Sequence, residues 1–367
     1  MQDKSPIPAW TVDQLEQLDQ LNEPNSLLPP ASDAPYFDLD LGAWVLSRHA
    51  DILAAFRSSS LFPASADATR AASQPTPLDH MKMRSETADA LAPSQLHAWR
   101  HVLVYEAAVA ADTLPDDAPI DLLSAYAQPL CLSFAAAVTG ITNHLAQQLV
   151  GAARHVSAAS AEPYDQSLRQ PADAASEQLR RYFPDGPQSL RDSGFVALSQ
   201  TMPCLLGNAW YALIRHAGQW ELLHRHPELM DNAIEELLRY AGLVRILSRA
   251  ASENLDLNGA RIRKGDRIIL RIIAGNHDPA RFEQPHNLNL IRRDGGHLTL
   301  GAGPHACVGA SLIRMVMAAI TRPLLQRFAS AELKQPVAWK GGSGFRSPQA
   351  LTVALSSAGG QLHATAI

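Results

Sequence analysis

The chain has 367 residues, of which 46% are hydrophobic and 18% charged, and its formal net charge is −5. This composition is that of a globular protein and argues against disorder over most of the length. The net charge is mildly negative, and the lysines and arginines are dispersed along the chain. Since nucleic-acid-binding proteins carry clustered positive charge, this class of protein is not indicated.

No stretch of the sequence reaches the roughly 20 consecutive apolar residues of a membrane span, and the amino terminus lacks the pattern of a signal peptide. We therefore expect a cytoplasmic protein without membrane association. The three cysteines, Cys131, Cys204 and Cys307, are odd in number and far apart. Neither a disulfide framework nor a structural zinc site is indicated, so each thiol is assessed by its own surroundings.

The first predicted elements lie near the amino terminus. Apolar and polar residues alternate from Phe37 to Leu46, and helical spacing begins at His49, which predicts a small β-element leading into a helix. From about Pro93 to Phe328 the dominant pattern is helical. The predicted breaks in this helical pattern are residues 111–119, 161–173 and 183–187.

Short strands are predicted towards the carboxyl terminus. Residues 255–279 hold an Asn-Gly turn and a Lys-Gly-Asp turn between β-type runs, and residues 341–357 suggest one or two further strands. We expect a single domain spanning residues 1–367. It would consist of a small β-rich region over about residues 30–75 and a helical body over about residues 93–328.

The motif "HLTLGAGPHACVGASLIR", residues 297–314, places Cys307 among three glycines. As a nucleotide loop it fails, because Ala306 occupies the third glycine position of G-x-G-x-x-G. As a metal site it is consistent, because glycines let the backbone approach a flat partner and a helix start stabilises a thiolate. A lone cysteine cannot hold zinc, but it can bind the iron of a haem, whose in-plane ligands come from the macrocycle. The alternative is a buried structural cysteine.

Residues 300–309, "LGAGPHACVG", resemble the haem-binding loop of the cytochrome P450 family, F-x-x-G-x-H-x-C-x-G, with Leu300 replacing the phenylalanine. We call these residues the cysteine loop. The resemblance extends from about residue 36 to residue 328. It implies a mainly α fold, a large helical body with small peripheral β-sheets enclosing haem b (iron protoporphyrin IX), with Cys307 as the metal ligand.

Other segments are similar to motifs of the same family. Glu236 and Arg239 in "EELLRY" match a Glu-x-x-Arg pair, and residues 274–282 match a stretch of bacterial members. The resemblance implies that the pair is buried behind the cysteine loop. Our alignment places the family's third Arg or His at Asn287, so the network would be weaker or completed differently. Without the resemblance, two such residues three apart on a helix would be read as a solvated ion pair.

The haem propionates require cations or strong donors. The resemblance implies Arg249 and His305 for this role, and Arg100 on the helix "SQLHAWRHVLV". His97 is offset by one position from the family's histidine, so it is either a further propionate donor or a surface histidine.

The oxygen side of the haem corresponds to residues 197–201, "ALSQT", where the family has Ala-Gly-x-(Asp/Glu)-Thr. Thr201 is retained, but the acid is Gln200, and an amide can hold a water without relaying a proton. Leu198 would crowd the oxygen groove, and Pro203 should kink or open the helix. We expect Thr201 and Gln200 to line the oxygen site; alternatively, the threonine hydroxyl bonds its own helix backbone.

The resemblance implies monooxygenation of a small apolar or amphipathic molecule in secondary metabolism. The electrons would come from a ferredoxin or flavoprotein, and we expect a monomer. Because Gln200 replaces the acid, a peroxide-using or non-oxygenating reaction, such as rearrangement or coupling, is the first alternative. A non-catalytic haem-binding sensor is the second.

Four further arginines have open assignments. Arg245 follows the Glu-x-x-Arg helix and would contact a substrate carboxylate, or lie at the surface or near a propionate. Arg314, with Arg292 or Arg293, would form a docking face for an acidic electron carrier, or be solvated.

Overall fold

The computed structural model describes residues 34–63, 77–162, 165–183, 188–216, 218–340, 342 and 344–357. Residues 1–33, whose sequence lacks the pattern of a signal peptide, lie outside the described residues.

Helices dominate the described chain. The α-helices are α1 (His49–Arg57), α2 (Pro77–Ala90), α3 (Pro93–Asp112), α4 (Gln128–Thr139), α5 (Asn143–Ala161), α6 (Arg169–Tyr182), α7 (Gln188–Val196), α8 (Met202–Arg215), α9 (Gln219–Arg225), α10 (Met230–Tyr240), α11 (Ile272–Asn276) and α12 (Ala310–Arg327).

The strands are short and peripheral. They are β1 (Tyr36–Asp38), β2 (Ala43–Leu46), β3 (Leu61–Pro63), β4 (Pro119–Asp121), β5 (Ile246–Ala251), β6 (Leu255–Leu257), β7 (Ala260–Ile262), β8 (Arg267–Arg271), β9 (Ser330–Leu333), β10 (Trp339–Lys340), β11 (Ser347–Pro348) and β12 (Thr352–Ser356). The fold class predicted from the sequence is confirmed.

The largest sheet has five strands in the order β1-β2-β8-β5-β3. Its β2 and β8 run parallel, and its other neighbours are antiparallel. Strands β6 and β7 form a separate hairpin around Asn258 and Gly259, whose positive φ angles of 52° and 91° suit an Asn-Gly turn. The β-element leading into a helix at His49 and the paired strands after residue 255 are therefore confirmed.

The main core lies between the long helices. Tyr126 donates its hydroxyl to the carbonyls of Ala107 in α3 and Ile320 in α12, at 3.1 and 2.9 Å. Trp210 of α8 donates to the Thr321 hydroxyl of α12 at 3.1 Å. These buried polar tips are satisfied, so the aromatic rings can fill the core without an unpaired donor.

Two helices differ from the predicted pattern: α2 was not predicted, and α6 begins earlier than expected. Helix α2 was not predicted, because its sequence is polar and carries no apolar stripe. Helix α6 begins at Arg169, inside the predicted break of residues 161–173. Its Pro171 lies in the first turn, where a missing backbone N–H is tolerated.

Within the described residues no single helix is long and apolar enough to span a membrane. One pair, Leu123–Thr139 with Asn143–Ala161, meets the length and composition test only when combined across a bend of 107°.

The Glu236 and Arg239 pair forms a buried ion network, as the resemblance implied. Both side chains are 1% exposed, and the guanidinium donates to both carboxylate oxygens at 2.7 and 2.8 Å. The third cation is Arg292, whose Nε donates to Glu236 at 3.0 Å. The alignment to Asn287 is therefore wrong. Asn287 contributes only its backbone carbonyl, 3.3 Å from Arg239.

Arg292→Ala tests the third member of this network. We expect it to lower the free energy of unfolding by about 3 kcal/mol, the lower end for breaking a buried ion pair, because Arg239 still faces Glu236. Urea titration followed by far-ultraviolet circular dichroism measures the change. The control is Arg293→Ala, which removes an exposed side chain and should change stability by at most about 0.5 kcal/mol. Equal losses in both variants would contradict the assignment.

Candidate active site

The cysteine loop is held tightly against the first helix. Gly301 and Gly303 have positive φ angles of 69° and 68°, a conformation that favours glycine. A Cβ at Gly303 would overlap the Phe56 carbonyl oxygen at the end of α1 and lie 3.0 Å from the Arg57 Cα. The Cys307 amide donates to the Leu300 carbonyl at 2.7 Å, which closes the loop before α12 begins. The glycines therefore fix where the sulfur lies.

The Cys307 side chain is solvent-accessible. Burial raises the pKa of its thiol, while the backbone amide of Gly309 and the charges of Arg84 and Arg314 partly oppose this rise. The amide and the two cations therefore reduce the cost of a thiolate at this position, and a metal bound to the sulfur would supply the rest.

Arg84 is a residue that the sequence analysis missed. It lies on α2 and donates from Nη1 to the Ala306 carbonyl in the cysteine loop at 2.7 Å. No motif marks Arg84, and the helix that carries it was not predicted. Its contact with the loop is therefore visible only in the folded chain.

Arg249 is a buried cation without a buried anion. It is 6% exposed, donates to the Ser248 carbonyl at 2.9 Å, and lies 5.6 Å from the Phe56 ring centroid. Within the described ranges it forms no ion pair, and desolvation lowers the pKa of its guanidinium to about 10. Gly303 of the cysteine loop packs against the Phe56 backbone, so this cation and the loop neighbour the same residue. The site lacks an anion at this point, which a haem propionate would supply.

The other predicted propionate donors lie on the cysteine loop and on α3. His305 lies in the 3₁₀ turn Gly303–His305 of the cysteine loop. His97 and Arg100 are exposed on α3, and no hydrogen bond among the described residues joins either to the loop. The Nε2 atom of His97 instead lies 3.0 Å from that of His101. These three assignments stay predictions.

The predicted oxygen side lies on an opened helical turn. Residues Ala197–Thr201 form a π-helical turn between α7 and α8, and the Met202 amide donates five residues back to Ala197. Pro203 cannot supply the amide that a regular turn would use there, so the predicted opening is confirmed. We call Ala197–Thr201 the opened turn.

The opened turn leaves one hydroxyl available. The Thr201 hydroxyl forms no hydrogen bond with any residue that the structure describes, so the alternative in which this hydroxyl bonds the helix backbone is wrong. Gln200 donates weakly to the Ser199 hydroxyl at 3.4 Å, and Leu198 is buried in the main core. A free hydroxyl beside an amide can hold water but provides no titratable group.

The structure bears on two hypotheses about arginines, the position of Arg245 and the predicted docking face. Arg245 is 5% exposed and donates to the Gly342 carbonyl at 3.0 Å, so it is no surface residue. Arg314 donates both to Oε1 and to Oε2 of Glu235, at 2.5 and 3.0 Å, and Arg292 belongs to the Glu236 network. Arg292 is buried in the Glu236 network, so it does not belong to a docking face. For Arg314, which is paired with Glu235 but 40% exposed, and for Arg293 the docking face stays a prediction.

Comparisons with known proteins point to one family. A family model described as Cytochrome P450 matches residues 220–346. The Nocardicin C N-oxygenase of Nocardia uniformis subsp. tsuyamanensis is 27% identical over an alignment of 357 positions, covering 84% of this chain and 89% of that protein. The Polyketide biosynthesis cytochrome P450 PksS of Bacillus subtilis (strain 168) is 26% identical over 307 positions, covering 76% of each.

Solved structures agree. The cytochrome P450 enzyme CxnD, described as acting in C–S bond formation in chuangxinmycin biosynthesis, matches with a TM-score of 0.73 at 26% identity, covering 86% of this chain and 88% of that one. CYP109B1 from Bacillus subtilis matches with a TM-score of 0.78, covering 95% and 100%. Its identity is 20%, so this second likeness is one of fold.

Gly303→Ala tests how the cysteine loop is held. We expect it to lower the free energy of unfolding by about 2 kcal/mol, because an alanine is strained at positive φ and its Cβ overlaps the Phe56 carbonyl. Thermal unfolding followed by circular dichroism measures the loss. Gly295→Ala is the matched control, since a Cβ there meets nothing within 4 Å. A Gly303→Ala protein as stable as the control would contradict this packing.

Proposed function

Because the chain belongs to the cytochrome P450 family, it is an oxidoreductase whose cofactor is a haem with a cysteine thiolate as axial ligand; we propose that it is a monooxygenase of a small apolar or amphipathic molecule. The observation that carries the proposal is the opened turn with its unbonded Thr201 hydroxyl. We propose that residues 1–367 act as one catalytic domain, as a monomer in the cytoplasm.

We assign the haem-holding roles as follows. Cys307 is the axial thiolate, supported by the Gly309 amide and the adjacent positive charges. Arg249 and His305 hold propionates, and the absence of an ion pair around Arg249 within the described residues supports its part. Arg100 and His97 complete the set if α3 turns them towards the cofactor.

When bound, the haem would supply the activation of dioxygen, a reaction in which one oxygen atom enters the substrate and the other leaves as water at the expense of two electrons and two protons. In this proposal the Thr201 hydroxyl donates a hydrogen bond to a water, and the Gln200 and Ser199 side chains hold the water chain that brings protons from solvent. A ferredoxin or flavoprotein supplies the electrons.

The relatives indicate a range of reactions. One is named an N-oxygenase, another is described as acting in C–S bond formation in chuangxinmycin biosynthesis, and PksS is named for polyketide biosynthesis. We propose a role in secondary metabolism for this chain on the same grounds. Its substrate is a small molecule, and Arg245 is a candidate contact for a substrate carboxylate.

Gln200 favours a second candidate function. Without a carboxyl at this position, the protons needed to cleave dioxygen arrive only through water, whereas hydrogen peroxide carries both of its own protons. A peroxide-using enzyme needs no protons from solvent for this step, only the transfer of one proton between the two peroxide oxygens, so it depends less on a proton relay at position 200.

Sulfoxidation of thioanisole, an apolar probe, separates the two functions. The holoprotein is supplied either with dioxygen, NADPH, ferredoxin reductase and ferredoxin, or with hydrogen peroxide alone. For the monooxygenase we expect Gln200→Asp to raise the dioxygen-driven rate of sulfoxide formation by about 10²-fold, the lower end of what a general acid contributes. The peroxide-driven rate should not change.

The control is Gln148→Asp, which places the same acid on the exposed side of α5 and should alter neither rate. Peroxide-driven sulfoxidation without any dioxygen-driven product, in wild type and in Gln200→Asp alike, would favour the peroxide-using enzyme. No sulfoxide under either condition would leave the non-catalytic haem sensor.

A further inference from the structure

A cavity borders the opened turn. Its volume is about 510 Å³, and it is bounded by α4, α5, the opened turn with the start of α8, and the π-helical turn Leu123–Ala127. Ser199 and Gln200 line it, whereas Thr201 does not. The cavity therefore contacts the opened turn at Ser199 and Gln200.

The charged residues of this cavity are both cations. Arg154 of α5 and Lys340 of β10 line it, and no Asp or Glu does. In the part of the chain that the structure describes, neither cation forms an ion pair or a side-chain hydrogen bond. Other exposed arginines of this protein do find acids, as Arg181 does with Glu177 at 3.0 Å. The two cations thus face the same space with no anion between them.

The acidic residue closest in sequence to the lining residue Ser124 is Asp121, and its carboxylate already accepts several hydrogen bonds. Asp121 precedes the π-helical turn and accepts the Ser124 hydroxyl at 2.6 Å and the Leu351 amide at 2.8 Å. Further backbone amides donate to the same carboxylate, from Leu123 at 3.2 Å and Ser124 at 3.3 Å. Its charge is spread over these donors, and it does not line the cavity.

The uncharged lining divides into a polar and an apolar part. Gln128 and Gln147 provide amides, and Leu132, Val150 and Pro203 provide apolar surface. The lining is about as polar as it is apolar, so it suits an amphipathic ligand, and 510 Å³ lies within the usual range of cavities that bind small molecules.

We propose that this cavity binds a small organic carboxylate with an apolar body. The carboxylate pairs with the Arg154 guanidinium, whose planar fork matches two carboxylate oxygens, and with the Lys340 ammonium. The apolar body lies against Leu132, Val150 and Pro203. The bound molecule contacts the Gln200 amide, so the site lies beside the opened turn. The proposal does not depend on the monooxygenase function, because binding is measured directly.

Isothermal titration calorimetry of the holoprotein with 4-phenylbutyrate tests the site, with the neutral 4-phenylbutyramide as the uncharged partner probe. We expect the carboxylate to bind at least tenfold more tightly than the amide at low ionic strength, and less tightly as salt is added. In the double variant Arg154→Gln, Lys340→Gln, the dissociation constant of the carboxylate should rise at least tenfold, and that of the amide should stay unchanged.

The control is the double variant Arg180→Gln, Lys264→Gln, which removes the same charge from exposed positions outside the cavity. It should bind the carboxylate as wild type does. Equal affinity for both probes, or carboxylate binding that survives the loss of Arg154 and Lys340, would overturn the proposal. Binding at the haem is recognised by a change in the haem absorption spectrum that persists in the cavity variant.

Discussion

The Glu236 carboxylate accepts hydrogen bonds from two arginines inside a part of the protein that excludes water, and the position of the cysteine loop follows from this contact. Arg239 also donates to the carbonyls of Asn276 and Pro285, both at 2.8 Å. The Asn276 side chain accepts the Leu298 amide at 2.6 Å. Leu298 lies two residues before the start of the cysteine loop, so a rigid path of hydrogen bonds joins α10 to the loop.

The protein treats its buried charges in two ways. Glu236 is neutralised by cations of its own chain, which offsets the large cost of removing a carboxylate from water. Arg249 is desolvated and finds only a backbone carbonyl and an aromatic ring. A buried cation of this kind is stable only with an anionic partner, and a haem propionate has the chemistry to be that partner. The two arrangements together describe a frame built to hold an anionic cofactor.

The sequence predicts features that depend on local chemistry. The Asn-Gly turn, the helix after His49 and the opened turn before Pro203 each follow from one or two residues whose backbone preferences are strong. The cysteine loop was predictable for the same reason, since its glycines and Cys307 are adjacent in the chain. Contacts between distant segments were harder to predict. Arg292 rather than Asn287 reaches Glu236 because of how residues 283–292 fold back, and spacing alone does not encode that path. Arg84 reaches the loop from a helix that carries no apolar stripe.

The central claim is that Cys307 binds the haem iron as a thiolate. The absorption spectrum of the dithionite-reduced protein under carbon monoxide tests it most directly, with wild type beside Cys307→Ala and Cys204→Ala. We predict a Soret band at the long wavelength of a thiolate-ligated ferrous haem in wild type and in Cys204→Ala, and its loss in Cys307→Ala. A long-wavelength band that survives in Cys307→Ala, or a wild-type band at the shorter wavelength of a haem without thiolate, would contradict the assignment.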